Sequence, residues 1–127
     1  MKEGDRRIRI LLADDDLLML AALHELLRPD FEIVDMVSDG SSLVDAAFKF
    51  RPDLIVSDIS MPKLNGIEAA RQIRDSLPNI KFIFLTMHAN LAYRNAASEL
   101  GASGYVLKSS APEELAQRVR DAFTPVL

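Results

Sequence analysis

Short apolar runs alternate five times with longer segments of helical spacing along this chain of 127 residues. The runs lie at residues 8–13, 31–36, 53–57, 81–85 and 104–107, and each predicts a β-strand. The first, third and fourth are almost wholly apolar, which is typical of strands covered on both faces of a parallel sheet. Right-handed crossovers leave 2-1-3-4-5 as the simplest strand order. We therefore expect an α/β fold: a five-stranded parallel sheet, doubly wound as (βα)5.

Capping residues and prolines predict where the intervening helices begin and end. The predicted caps are Asp16, Ser41 or Ser42, Asn65, Asn90 and Ser110. The predicted ends lie near Arg28 and Phe50, before Pro78, at Leu100 and before Pro125. These limits place one domain at residues 8–124. Residues 1–7 are expected to form a tail, and residues 125–127 the start of a linker to an output domain.

Composition excludes several classes of protein. The chain has no cysteine, which rules out disulfides and thiolate metal sites and agrees with a reducing cytoplasmic location. Two histidines are too few for a multi-histidine zinc site. A net charge of −4 without a basic block argues against direct nucleic acid contact by this domain. No apolar run approaches the roughly 20 residues of a membrane span.

Polar side chains follow the predicted strands at the points where the strands end. Asp14 and Asp15 follow the first strand, Asp58 ends the third, Thr86 the fourth and Lys108 the fifth. The carboxyl ends of parallel strands form one edge, where such sheets bind ligands. Clustered carboxylates need a compensating cation, and Mg²⁺ favours carboxylate, water and phosphate oxygens. The sequence therefore predicts a magnesium and phosphate site. Asp16 reads only as a helix cap.

Four separated motifs carry a resemblance to a known family. They are residues 11–15, Asp58 to Pro62 with Gly66, Leu85-Thr86, and residues 101–108. Together they resemble the signature of the CheY-like receiver domain of bacterial response regulators, from about Ile8 to Phe123. The resemblance implies the flavodoxin-like receiver fold and a part in two-component signalling. Residues 85–88 and 107–109 are similar to the NarL/LuxR-type branch, which usually carries a helix-turn-helix output domain.

The resemblance implies a role for each matching position. Asp58 would accept a phosphoryl group from the phosphohistidine of a histidine kinase. Asp15 would bind Mg²⁺ directly, Asp14 through a metal-bound water, and Ser60 through its backbone carbonyl. Lys108 would pair first with the carboxylate and then with the phosphoryl group. The domain would catalyse its own phosphorylation and dephosphorylation without turning over an outside substrate.

The resemblance also implies a switch and leaves one backbone feature open. Thr86 would move its hydroxyl onto the phosphoryl group, and Tyr105 would swing into the space that this leaves. The family often has proline after the lysine, with a cis bond between them. Here Ser109 follows Lys108, and a cis bond without proline costs about 3 kcal/mol, so the isomer stays open.

Three alternatives follow from the same residues. A phosphatase of the haloacid-dehalogenase type would need a second aspartate where Ser60 stands, and a cap domain. A receiver-like binding module that is never phosphorylated usually lacks an acidic-pair residue or the lysine, which this chain keeps. A stand-alone receiver would act through protein contacts alone, whereas the resemblance to the NarL/LuxR-type branch favours a longer transcription factor.

One apolar stripe of the first helix is unexplained by the motifs. The expected sheet-facing positions are Met19, Ala22, Leu23, Leu26 and Leu27. A second stripe contains Leu17, Leu20, Ala21 and His24. We interpret this stripe, together with Ala116 and Phe123 of the last helix, as a homodimer or docking face.

Overall fold

The computed structural model describes residues 6–125. Most of the predicted tail and of the predicted linker, namely residues 1–5 and 126–127, lies outside the described residues. The sheet has five strands in the order β2-β1-β3-β4-β5, which confirms the predicted topology. The strands are β1 (Arg9–Ala13), β2 (Glu32–Val37), β3 (Leu54–Asp58), β4 (Lys81–Thr86) and β5 (Gly104–Leu107). All neighbouring strands pair in parallel.

In the described part of the chain, five α-helices cover the two faces of the sheet. They are α1 (Leu17–Leu27), α2 (Gly40–Phe50), α3 (Gly66–Ser76), α4 (Leu91–Glu99) and α5 (Ala111–Ala122). One core contains Leu43 of α2, Ile73 of α3 and Ala97 of α4, and the other contains Leu23 of α1 and Leu115 of α5. Between these cores β3 is buried along its whole length. Within residues 6–125, no helix has the length and apolarity needed to cross a membrane.

The caps explain most helix starts. The Asp16 side chain accepts hydrogen bonds from the amides of α1, and those of Asn65 and Asn90 do the same for α3 and α4. The prediction for α2 was wrong, because the helix begins at Gly40 and its cap is Asp39. Ser110 precedes α5, but its side chain makes no capping hydrogen bond to the described residues.

Gly40 begins α2 at a point where the backbone of another loop passes very close. A Cβ added there would lie 1.8 Å from the carbonyl oxygen of Leu64, in the loop between β3 and α3. The Gly40 amide also donates to the carbonyl of Pro62, at 3.3 Å. Because real Cβ atoms do not approach an oxygen so closely, only glycine lets the two backbones meet here. The start of α2 thereby supports the loop that follows β3.

The interpretation of the second apolar stripe of α1 was wrong at Leu20. Leu20 is only 6% exposed and belongs to the core between the sheet, α1 and α5. It lies three residues before Leu23 and seven before Leu27, so all three share one helix face. Ala22, which was expected on that face, is exposed.

Two other members of the interpreted dimer face, Leu17 and Phe123, lie at opposite ends of the strands. Leu17 is 70% exposed at the start of α1, beside the carboxyl edge of the sheet. Phe123 follows the end of α5, and its ring lies 5.5 Å from Nζ of Lys81, which begins β4 at the opposite edge. Ala21 is exposed as well. The burial of Leu20 thus removes one residue from the interpreted face, and a dimer or docking contact through the others stays a prediction.

Truncation of two leucines of α1 checks this correction. Leu20→Ala should lower the free energy of unfolding by about 2 kcal/mol or more, because it removes buried methyl groups and leaves a cavity. Leu17→Ala should change it by less than about 0.5 kcal/mol. Urea unfolding followed by circular dichroism measures both. Equal effects of the two substitutions would contradict the burial described for Leu20.

Candidate functional site

The carboxyl edge of the sheet brings together the polar residues that follow the strands. Asp14 and Asp15 follow β1, Asp58 ends β3, Thr86 ends β4, and Lys108 follows β5. Because β1, β3 and β4 are adjacent, residues far apart in sequence meet at this edge. Asp14, Asp58 and Thr86 are buried although they are polar. Their burial marks a site that folding assembles at an energetic cost.

Asp14 is held by both of its carboxylate oxygens. Its side chain is fully buried. Oδ1 accepts a 2.9 Å hydrogen bond from the amide of Asp16, so the residue that caps α1 also orients the buried carboxylate. Oδ2 lies 2.8 Å from Nζ of Lys108. This second contact is a charge pair without good hydrogen-bond angles, since Oδ2 has no hydrogen-bond partner among the described residues.

Lys108 also bonds to Asp58, and the two groups affect each other's pKa. Nζ donates a hydrogen bond of 3.2 Å to Oδ2 of Asp58. Burial and the nearby Asp14 charge raise the pKa of Asp58 above its usual range, against the opposing effect of Lys108. Burial lowers the pKa of Lys108, but the Asp14 and Asp58 carboxylates outweigh it and raise the pKa overall. The raised pKa keeps Lys108 as an ammonium, whereas the raised pKa of Asp58 means that its ionised form is less favourable in the folded protein than in water.

The three acidic side chains fit a divalent metal ion. Asp14, Asp15 and Asp58 can each offer an oxygen, and these atoms lie within 4.8 Å of one another. The buried Oδ2 of Asp14 is an acceptor without a hydrogen bond from the described residues, and Asp15 is exposed to solvent. Oxygen ligands of this kind, with room for water, suit Mg²⁺ better than softer metals.

A cleft of about 470 Å³ opens over Asp58. Its lining includes Asp15, Ser60, Thr86 and Lys108, together with the loop between β4 and α4. Ser60 is exposed, and it stands two residues after Asp58. The cleft can therefore admit a phosphate-sized group to Asp58, with a hydroxyl and an ammonium on its walls.

Thr86 and Tyr105 donate hydrogen bonds to the same loop. Oγ1 of Thr86 donates to the carbonyl of His88 at 3.0 Å. The Tyr105 hydroxyl donates to the carbonyl of Asn90 at 3.3 Å, and the guanidinium of Arg94 lies 5.8 Å from the Tyr105 ring. Tyr105 does not line the cleft. The two predicted switch residues are therefore linked through residues 88–90 rather than by direct contact with Asp58.

Sequence reasoning missed part of this edge. Asn90 was identified only as a cap, but it also lines the cleft and accepts the Tyr105 hydrogen bond. Tyr93 lines the cleft as well; a position one turn into α4 was the only available signal. The Lys108–Ser109 peptide is trans, as are all peptides in residues 6–125. Lys108–Ser110 form a short 3₁₀ turn before α5.

Removing the Asp58 charge should stabilise the metal-free protein near neutral pH. The raised pKa means that the folded chain binds this proton more tightly than the unfolded chain. The contribution of Asp58 to stability therefore falls as the pH rises from 3.8, the ordinary pKa of this side chain, through its raised pKa in the folded protein. Asp58→Asn should raise Tm at pH 7 in the presence of EDTA, and the gain should shrink below that interval. A lower Tm for the variant at pH 7 would contradict the direction of the shift.

Comparison with known proteins identifies similar sequences and structures. A family model described as the response regulator receiver domain matches residues 10–120. The transcriptional regulatory protein DegU of Brevibacillus brevis is 35% identical over 119 residues, covering 92% of this chain and 50% of that protein. DesR of Bacillus subtilis, another transcriptional regulatory protein, is 39% identical over 118 residues, covering 91% and 58%. A DNA-binding response regulator of the LuxR family from Staphylococcus aureus superimposes with a TM-score of 0.86 at 27% identity, covering 91% and 98%. The chain spans about half the length of these curated relatives.

Proposed function

Because this chain belongs to the family of response regulator receiver domains, we propose that Asp58 accepts a phosphoryl group from the phosphohistidine of a histidine kinase. The observation that carries this proposal is the pairing of Asp58 with Lys108 at 3.2 Å, at the foot of an open cleft. A carboxylate beside a fixed ammonium can attack phosphorus while the ammonium stabilises the developing charge.

The acidic residues would hold the metal ion that this chemistry requires. Asp15, Asp58 and the backbone carbonyl of Ser60 are the proposed direct ligands of Mg²⁺, and Asp14 is the proposed ligand through water. When bound, Mg²⁺ neutralises the carboxylates and draws charge from the phosphoryl oxygens. Receiver domains are a signalling family rather than conventional enzymes. We propose that this one catalyses its own phosphorylation and its own dephosphorylation.

The bond changes of phosphorylation balance without a further co-reactant. Lys108 occupies Oδ2 of Asp58, which leaves Oδ1 to attack phosphorus. The new bond joins Oδ1 to phosphorus, and the bond between phosphorus and the kinase imidazole nitrogen breaks. The imidazole takes back the electron pair of that bond, and with a proton already on its other ring nitrogen it leaves as neutral imidazole. Lys108 stays charged throughout, because its pKa is raised, and it can follow the negative charge from the carboxylate onto the phosphoryl oxygens.

The change at Asp58 would pass outward through the loop between β4 and α4. The Thr86 hydroxyl now donates to His88, and in the phosphorylated state it would donate to a phosphoryl oxygen instead. The loop would then lose that hydrogen bond, and Tyr105 would leave the Asn90 carbonyl. A local change of charge would in this way alter the surface formed by α4, β5 and α5.

The output that we propose is control of transcription. The curated relatives described above are transcriptional regulators about twice the length of this chain. The similar LuxR-family structure supports the predicted NarL/LuxR-type branch. The receiver would act on DNA through another part of a longer protein, since its own carboxyl edge carries carboxylates.

Chemical phosphorylation tests the proposal. The chain is incubated with acetyl phosphate and Mg²⁺, and intact mass spectrometry measures the product. We expect the mass of one phosphoryl group to be added, and the addition to disappear with EDTA. Asp58→Asn is the control for the position and should stay unmodified. Absence of added mass on the wild type, or equal modification of Asp58→Asn, would contradict the proposal.

A further inference from the structure

One buried polar side chain plays no part in the proposed chemistry. Among the described residues, the buried polar side chains are those of Asp14, Ser57, Asp58 and Thr86. Three of them belong to the acidic site or to the switch. Ser57 is fully buried in β3, between Ala13 of β1 and Phe84 of β4. A buried hydroxyl costs free energy unless it is hydrogen-bonded, so its partner indicates what it does.

The partner of Ser57 is the main chain of Asp58. Oγ of Ser57 donates a 2.7 Å hydrogen bond to the carbonyl oxygen of Asp58. The start of α3 closes over the same carbonyl, because a Cβ added to Gly66 would lie 2.2 Å from that oxygen and 3.0 Å from Oγ of Ser57. The next carbonyl, that of Ile59, accepts a 2.7 Å hydrogen bond from the Gly66 amide. The carbonyl of Asp58 is therefore held by Ser57, and the carbonyl of Ile59 is held by the Gly66 amide.

We propose that Ser57 is a positioning residue for the magnesium site. The inference rests on the proposed function above. The Ser57 hydroxyl holds the peptide plane between Asp58 and Ile59. The Asp58 carboxylate lies on the residue at the start of this peptide plane. The Ser60 carbonyl belongs to the residue after Ile59, which lies at the end of the plane. Holding the plane keeps these two ligands in a constant relation to each other.

Binding of Mg²⁺ is sensitive to how precisely its ligands are positioned. Mg²⁺ demands nearly ideal octahedral geometry with short distances to oxygen, so a small rotation of one peptide plane misplaces a ligand. Groups that orient metal ligands typically contribute about 10-fold to 100-fold in metal affinity. Ser57 has the position of such a group, since it is fully buried and donates its hydrogen bond to the main chain of a proposed ligand.

Three substitutions at one position separate positioning from packing. Ser57→Ala removes the hydroxyl, Ser57→Cys keeps nearly the same volume with a weak donor, and Ser57→Thr keeps the hydroxyl but adds a methyl group. Ile55→Val is the packing control, because Ile55 is also fully buried in β3, two residues earlier. Isothermal titration calorimetry of each full chain with Mg²⁺ gives Kd, and urea unfolding gives stability.

We expect Ser57→Ala and Ser57→Cys to raise the Mg²⁺ Kd by about 10-fold, and Ser57→Thr to keep the Kd near the wild-type value even if the added methyl group lowers stability. Ile55→Val should lower stability and leave the Kd unchanged. A wild-type Kd in folded Ser57→Ala or Ser57→Cys would overturn the inference and leave the proposed function standing. An increase of the Kd in Ile55→Val as large as that in Ser57→Ala would also overturn the inference. Wild-type protein that binds no Mg²⁺ would overturn both the inference and the proposed metal site.

Discussion

Lys108→Met is expected to slow phosphorylation by acetyl phosphate about 100-fold to 1000-fold, the usual effect of removing one preorganised group that stabilises transition-state charge. Methionine keeps a flexible apolar chain of similar length but lacks the ammonium. In the wild type that ammonium lies 2.8 Å from Asp14 and 3.2 Å from Asp58. The rate of mass gain at saturating Mg²⁺ measures the effect.

The same substitution should also destabilise the metal-free fold by about 3–5 kcal/mol, because it leaves two buried carboxylates without their counter-charge. Acid should reduce this loss, since protonation of Asp58 removes one of the charges. Mg²⁺ should reduce it as well, by mass action on the folded state. The slow phosphorylation should persist even where Mg²⁺ restores stability.

Lys63→Met is the matched control for charge. The Lys63 side chain is 71% exposed, and Nζ lies 3.9 Å from a carboxylate oxygen of Asp39. Because the ammonium of Lys63 lies in solvent and its contact with Asp39 is at the outer limit of an ion pair, the control should keep both stability and phosphorylation rate. If Lys108→Met behaved like Lys63→Met in both measurements, the assigned role of Lys108 would be wrong.

Gly40→Ala is expected to destabilise the fold by about 3 kcal/mol, at the upper end of the cost of overpacking. The added methyl group would meet the Leu64 carbonyl oxygen at 1.8 Å, and backbone on both sides must move. Because the displaced segment is the loop after β3, which carries Ser60, Mg²⁺ binding should weaken as well. Urea unfolding and calorimetric titration with Mg²⁺ measure the two effects.

Gly104→Ala provides the comparison for a tolerated glycine. At Gly104 the nearest atom to an added Cβ is a side-chain carbon of Ile83 at 3.4 Å, an ordinary contact. Alanine there should cost little, because no backbone has to shift. Equal losses of stability at the two positions would mean that the close approach at Gly40 does not control the loop.

The sequence predicted those site residues whose location follows directly from their position at the end of a strand. Asp58 and Lys108 are 50 residues apart, yet each comes at the end of an apolar run, and parallel strands put such ends at one edge. Helix caps were readable only in part. Asp39 was missed because a glycine inside a helix is unfavourable, and Gly40 is there for its contact with Leu64 rather than for helix propensity.

Other features depend on packing between elements. The spacing of Leu20 from Leu23 and Leu27 places it in the core, but the whole helix is so apolar that its faces were misassigned. The hydrogen bond of Tyr105 to the Asn90 carbonyl joins a strand to a loop 15 residues earlier. Which carbonyl a tyrosine reaches depends on the path of that loop, and no local pattern in the sequence encodes the path.

The charge of the acidic cluster favours a divalent over a monovalent cation. With its three carboxylates ionised and Lys108 protonated, the site carries −3 + 1 = −2 elementary charges. A divalent ion brings this total to zero, whereas a sodium or potassium ion leaves it at −1. Selectivity for charge is therefore present before ion size or coordination number is considered. With a divalent ion bound the site would be neutral, and a phosphoryl group would enter it as the only new net charge.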